Sequence, residues 1–395
     1  MNLQKCIDYT VHLLRCAIKN EAPNPVPEDM DINELLRFCQ YHKIENIAYY
    51  SLKKLNISAE KFVHFERAHM IAVAMDANQD DALKKISALF EQNGIDYMPL
   101  KGSVIKYLYP SMDMRQAADI DIYIGADNTL KAKEIMLSQG YTTDEALFGV
   151  DADDSYELGR YTRIELHRTL IPDIYKWKGE CARIEASRRK NKEKNHLYEM
   201  TNEDFYIYMI IHLAKHMHLA GCGIKAILDI WIFLERYKDE LDEDFIKQSL
   251  MNCGLDRFEK NVRKLAYVWF EHETCDDDII RELSVHIAAG GWMGKDEFRN
   301  AKYLAGNYSN KEGKKVNKLK YYISCVFLKF DRMKKKYPVI EKHKYLLPVF
   351  WLVRLFSILL FKHNKIDEIS ENLDKSEEEI ELGKKMLEFD KKIGL

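Results

Sequence analysis

The run Asp119-Ile120-Asp121-Ile122-Tyr123-Ile124 carries an isoleucine at every second position. A period of two is that of a strand buried on one side. Ile120, Ile122 and Ile124 then share one face, and Asp119, Asp121 and Tyr123 share the other. A second run alternates in the same way, with Ile164 and Leu166 opposed to Arg163, Glu165 and His167. Between the two, residues 128–139 read as a helix that closes at Gly140. A helix that returns the chain to the same sheet builds a mixed core of modest size.

The flanks have a different periodicity. Apolar residues recur three and four apart in Ile32–Leu35–Cys39 and Leu83–Ile86–Phe90, prolines cluster over residues 23–27, and Asn93–Gly94 ends the last N-terminal helix. Residues 205–217 and 224–237 read as helices as well. The expectation is therefore an α+β fold. A small mixed-sheet core over residues 89–175 is flanked by an N-terminal helical region (1–88) and a C-terminal helical domain (176–310). A basic-aromatic helical tail with an acidic, solvated C-terminus occupies residues 311–395.

A net charge of −3 gives no global attraction to nucleic acid or anionic lipid, so any such attraction must be local. The eight cysteines are scattered with no CxxC pair, which points to reduced thiols and not to a disulfide framework or a zinc site. The first sixteen residues are amphipathic and do not read as a signal peptide, so a cytoplasmic chain is expected. Residues 346–361 are strongly apolar but short for a membrane span and interrupted by Pro348 and Arg354. Internal packing is the first reading for them. Contact with a membrane surface through residues 334–361, helped by the neighbouring lysines, is the second.

Residues 98–124 carry the chemistry. Gly102 and Ser103 follow a short apolar approach, with Lys101 just before them. Glycine lets backbone N–H groups approach an anion, and the serine hydroxyl adds a donor. Asp119 and Asp121 repel each other unless a cation lies between them, and Mg2+ takes a few carboxylates together with phosphate oxygens. Glu165, on the polar face of the second strand, can supply a third carboxylate. Arg115, inside the spacer, can clamp a phosphate or pair with Asp113 or Asp119.

These residues resemble the uncharacterised nucleotidyltransferases of the DNA polymerase β-like superfamily. The superfamily pattern is a glycine–serine pair, a spacer, Asp-hydrophobic-Asp, and a later strand carboxylate. Gly102–Ser103, Asp119–Ile120–Asp121 and Glu165 match it. The narrower family pattern is matched by Leu100–Lys101–Gly102, Tyr109–Pro110, Arg115 and Glu165–Leu166–His167, and further similarity lies over residues 212–230 and 337–356. Arg168 stands where the family has an aromatic residue, and the spacer is longer than is usual in the superfamily.

The resemblance implies Mg2+-dependent transfer of a nucleoside monophosphate from an NTP to a hydroxyl acceptor, with Mn2+ as a substitute ion. Asp119, Asp121 and Glu165 would hold metal, and Lys101, Gly102, Ser103 and Arg115 would bind the nucleotide. His167, His212, His216, Lys225 and Asp229 are candidates for the cleft. His212 and His216 share a helical face, which reads as a polar wall more readily than as a zinc site, and Lys225 with Asp229 has the spacing of a helix ion pair. The acceptor is open between a small molecule, RNA, a protein and a polysaccharide precursor, and the basic run 183–194 is either a solvated loop or a guide for it. A γ-phosphate transferase, a catalytically inactive nucleotide-binding regulator, and a membrane-surface partner protein are the competing readings.

Overall fold

The computed structural model describes residues 3–145, 148–149, 152–159, 161–291, 296–308, 327–328, 330, 333–334, 337, 339–361 and 376–395. The chain divides into two compact units, Met1–Gly294 with Ile393–Leu395, and Lys295–Lys392.

In the first unit, helices α1 (Leu3–Lys19), α2 (Ile32–His42) and α3 (Glu45–Leu52) precede the long α4 (Ala59–Asn93). Asp31 caps α2 by accepting the Asn33 N–H at 3.0 Å, which satisfies one of the free amides of its first turn. Gly94, at φ 66°, ends α4 as the Asn–Gly pair predicts. The chain then enters the sheet through β1 (Met98–Pro99), turns through the short helix α5 (Gly102–Ile105), and runs along β2 (Ile120–Tyr123). Helix α6 (Thr129–Ser138) leads into β3 (Thr142–Thr143), β4 (Asp153–Leu158) and β5 (Thr162–His167).

The five strands are ordered β1-β2-β5-β4-β3. The β2–β5 pair is parallel and the other pairs are antiparallel, so the sheet is mixed as expected. It has more strands than the two alternating runs suggest. The acidic sequence of β4 has little strand character of its own, and becomes a strand by pairing with β5 across all six of its residues. Arg168 explains its departure from the family's aromatic: its guanidinium pairs with the buried Asp154 of β4.

Ile120, Ile122, Ile124, Ile164, Leu166 and Tyr156 pack on Ala82, Ile86 and Phe90 of α4 and on Ala132 and Met136 of α6. One face of the sheet is thereby sealed, and the opposite face presents the acidic side chains. After the sheet come α7 (Lys178–Ser187), the hairpin strands β6 (Arg189–Lys190) and β7 (Tyr198–Glu199), and helices α8 (Asn202–Leu219), α9 (Ile224–Tyr237), α10 (Glu243–Asn252), α11 (Asp256–Phe270) and α12 (Asp278–Gly290). The basic run 183–194 is partly tied down, because Arg183 pairs with Glu180 and Asp204 at 2.7 and 2.6 Å.

In the second unit, helix Ser376–Ile393 is not the solvated arm that its acidic composition suggests. Ile380 and Met386 are buried, and Lys302 donates to both oxygens of the buried Asp390 at 2.8 Å. At Gly383 an added Cβ would lie 2.0 Å from the Ala301 carbonyl oxygen, so helix backbones meet there. Helix Leu347–Phe361 exposes Val349, Leu352 and Val353, while Trp351 packs on Phe327 at 5.4 Å between ring centres. No helix among the described residues is long and apolar enough to cross a membrane. The lysine-rich residues 311–326, and Lys335 and Lys336, lie outside the described residues.

His42 joins three helices. Its Nδ1 accepts the Ile224 N–H at 3.4 Å and its Nε2 donates to the Ala288 carbonyl at 3.1 Å. This neutral ring is fully buried, and burial lowers its pKa from 6.5 to about 4. The unfolded chain therefore takes up a proton below pH 6.5 that the folded chain refuses until about pH 4. The stability at stake is about 3 kcal/mol, present above that window and lost as pH falls through it. In His42→Asn, denaturant unfolding at about pH 7.5 and about pH 4.5 should show a pH-dependent loss smaller by about 2.5 kcal/mol, since the linkage is not complete at about pH 4.5. An unchanged pH dependence would show that His42 does not carry this linkage.

Candidate active site

The parallel register sets Asp121 of β2 beside Glu165 of β5, and Tyr123 beside His167. The side chains of Asp121, Glu165 and His167 bring potential ligand atoms within 4.8 Å of one another. Asp119, one residue before β2, stands next to this group and interacts electrostatically with both Asp121 and Glu165. A fourth carboxylate comes from β4, where Asp153 lies opposite His167.

Asp121 is 4 % exposed, and one of its oxygens, Oδ1, meets two donors. Lys101 Nζ donates at 2.6 Å and His167 Nε2 lies at 2.7 Å. Burial alone would raise the Asp121 carboxyl, but the Lys101 ammonium and His167 hold it well below the usual carboxylate range. Glu165 is in the opposite situation. Burial, followed by the negative charges of Asp119, Asp121 and Asp153, pushes its carboxyl up to about 7. Burial and Asp121 raise Asp119 as well. Four carboxylates thus crowd one face, and Lys101 on Asp121 with Arg163 on Glu165 offset only part of their mutual repulsion, which a bound cation relieves.

Helix α8 forms the wall over this face. Tyr208, His212 and Lys215 follow each other at helical spacing. Lys215 interacts with Asp153, Asp121 and Glu165, and Tyr208 with Lys101 and Asp121. Burial lowers the Lys215 pKa, and Lys101 lowers it further. The Tyr208 hydroxyl is buried with no hydrogen-bond partner among the described residues, and so is the Ser155 hydroxyl opposite Glu165. His212 and His216 bond each other at 3.2 Å. Burial and neighbouring lysines keep both neutral, with His216 at about 3. No acid or thiol joins the pair in a metal-type cluster among the described residues.

The turn after β1 is unusual. Lys101 adopts φ 49°, ψ −122°, a conformation rare outside glycine. The N–H groups of Val104 and Ile105 both donate to its carbonyl at 3.0 Å, and Ser103 N–H donates to Leu100 at 3.1 Å. The turn's amides are thus largely used internally, leaving side chains to meet an anion. Space at Gly102 is tight: a Cβ there would lie 3.2 Å from Ala117 Cβ and 3.6 Å from Arg115 Nη1. Ser103 lines a cavity of about 560 Å³ whose walls include Tyr97, Tyr107, Phe205 and Phe233, but none of the four carboxylates.

Arg115 pairs with neither Asp113 nor Asp119. Its Nε donates to Asp229 Oδ1 and Oδ2 at 2.7 and 2.9 Å, and Tyr109 donates to the same Oδ1 at 2.6 Å. Lys225 does not complete the helix pair with Asp229 but donates to the Gln116 carbonyl at 2.8 Å. Burial and Arg115 bring the Lys225 pKa down to about 7. Asp229 thereby anchors the spacer loop to α9 and fixes the guanidinium against Gly102.

Sequence reasoning missed Asp153, Tyr208 and Lys215. The helical spacing of Tyr208 and Lys215 with His212 was a readable signal, whereas Asp153 depended on the unrecognised β4. Asp229→Asn should destabilise the fold by about 3 kcal/mol, because it leaves a buried guanidinium without its counter-charge. Denaturant unfolding measures this, and a loss below about 1 kcal/mol would place Arg115 in a more solvated setting than its 14 % side-chain exposure indicates.

No curated protein and no solved structure matches this chain. The family described as uncharacterised nucleotidyltransferase matches residues 28–271, well over half of the chain. That span contains the whole mixed sheet, the Lys101–Ser103 turn, the α8 wall and the Arg115–Asp229 anchor. The chain belongs to the uncharacterised nucleotidyltransferase family.

Proposed function

We propose that the protein moves a nucleoside monophosphate from a Mg2+-bound NTP to a hydroxyl acceptor, with pyrophosphate as the second product. The observation that carries this reading is the convergence of Asp121, Glu165 and His167 within 4.8 Å, beside Asp119. The donor set is rich in oxygen with one imidazole, which suits Mg2+ and also Mn2+. The buried, unpartnered hydroxyls of Tyr208 and Ser155 and the raised Glu165 carboxyl fit a face built for a further ligand.

Asp121, Glu165 and His167, with Asp119 beside them, would hold the metal. Mg2+, when bound, supplies positive charge against the triphosphate and the charge that develops on the leaving pyrophosphate. Lys101 would meet the phosphates on the side of the turn, and the Arg115 guanidinium, still paired with Asp229, would add positive charge behind Gly102. A Glu165 carboxylate oxygen takes the proton of the acceptor hydroxyl as that hydroxyl attacks the α-phosphorus. His212, kept neutral by burial, and Lys215 form the wall opposite the carboxylates and limit water at the reacting groups.

With α-labelled NTP, the wild-type protein should transfer label to acceptor, and Asp121→Asn should reduce the rate by about three orders of magnitude. Transfer of label from γ-labelled NTP alone would overturn the reaction proposed, and binding without transfer to any acceptor would indicate a regulator. Metal binding should also depend on pH. Below about pH 7 Glu165 holds a proton that a cation must displace. Mg2+ affinity therefore rises as pH increases through 7, and this rise is lost in Glu165→Gln. A pH-independent affinity in the wild-type protein would remove Glu165 from the metal set.

A further inference from the structure

We propose that Lys101 is a resident cation that occupies Asp121 until a divalent metal displaces it, and that the displaced ammonium then moves to the phosphates of the nucleotide. The proposal rests on the metal-dependent reading above and extends it to the order of events at the site.

The geometry starts with a single oxygen. A carboxylate oxygen has two lone-pair directions. On Asp121 Oδ1 both are engaged, one by Lys101 Nζ at 2.6 Å and the other by His167 Nε2 at 2.7 Å. A cation bound through this oxygen, together with Glu165 and His167, would enter where these donors now point. An ammonium beside that position also repels a divalent ion. Binding of metal and retention of the Lys101–Asp121 pair are therefore competing states of one site.

Lys101 is built to exchange. Its backbone is held in an uncommon conformation, and its carbonyl is fixed by the N–H groups of both Val104 and Ile105 at 3.0 Å. Backbone strain of this kind persists where the surroundings over-determine it, and it collects at functional sites. The clamp stops at the main chain. Beyond it is a flexible four-carbon stem with a compact charge, which can swing without moving the turn. Its side chain as a whole is 20 % exposed, so the stem is not fully enclosed. The neighbouring residues already form the second destination. A Cβ on Gly102 would lie 3.6 Å from Arg115 Nη1, so an ammonium leaving Asp121 stays on the turn that carries the residues assigned to phosphate. In the metal-free state Lys101 serves a further purpose, because it keeps Asp119, Asp121 and Glu165 from facing each other uncompensated.

The test is Mn2+ binding without nucleotide, followed by electron paramagnetic resonance, for wild type, Lys101→Met and Lys101→Arg. Lys101→Met should bind Mn2+ about tenfold more tightly than wild type, since a competing charge is gone. Lys101→Arg should bind no more tightly than wild type, and Lys101→Met should bind ATP more weakly. Equal or weaker Mn2+ binding by Lys101→Met overturns the exchange while leaving the metal site in place. Absence of stoichiometric Mn2+ on wild type and Lys101→Met alike overturns both the exchange and the metal-dependent reading.

Amine labelling of the folded wild-type protein, read by mass spectrometry, does not depend on a variant folding. Lys101 should label slowly without metal, faster with Mn2+ alone, and slowly again with Mn2+ and ATP. A labelling rate unaffected by Mn2+ contradicts the exchange.

Discussion

The parallel pairing of β2 with β5, in a register that sets Asp121 beside Glu165, is the constraint on which the rest of the structure depends. Strand side chains alternate, so this one register decides both faces. It sends Ile120, Ile122, Ile164 and Leu166 into the core under α4 and α6, and it sends the carboxylates to the opposite side. A slip by one residue would bury acids and expose isoleucines. The apolar face therefore supplies the stability that holds four like charges close together, a cost the charges could not meet alone.

The acidic face is then managed by a few specific cations. Lys101 and His167 meet at one oxygen of Asp121, Arg163 donates to Glu165 at 2.9 Å, and Lys215 overlooks the group from α8. Asp121 and Glu165 end up with opposite pKa shifts although they are neighbours in the register: burial and three neighbouring carboxylates raise Glu165, whereas Lys101 and the His167 hydrogen bond overcome burial at Asp121. A second layer supports this one. Asp229 on α9 holds Arg115 and Tyr109, which fixes the spacer loop between the Gly102–Ser103 turn and β2. The helical domain is thus part of the site's construction.

The sequence made the central pair of strands, both active faces and the crossing helix legible, because isoleucine and leucine at alternate positions leave little freedom in assigning faces. The helix ends at Asn93 and at Gly140 were readable for a similar reason, since glycine accepts the positive φ that a helix end needs. What was not legible depended on distance along the chain. Arg115 meets Asp229 across 114 residues, and no local spacing encodes that contact. Strand β4 is acidic and exists through its partner, so Asp153 went unnoticed with it. The i, i+4 spacing of Lys225 and Asp229 suggested a pair, but a stronger guanidinium partner reached Asp229 first. The acidic C-terminal segment misled because overall composition hid the buried stripe of Ile380 and Met386.

Asp121, Glu165 and His167 are proposed to form a divalent-metal site. Anomalous scattering from crystals soaked in Mn2+ tests it most directly. A manganese peak is expected within coordination distance of a carboxylate oxygen of Asp121 and of Glu165. A soaked crystal with no peak at these residues, or with its peak at His212 and His216 in their place, would contradict it.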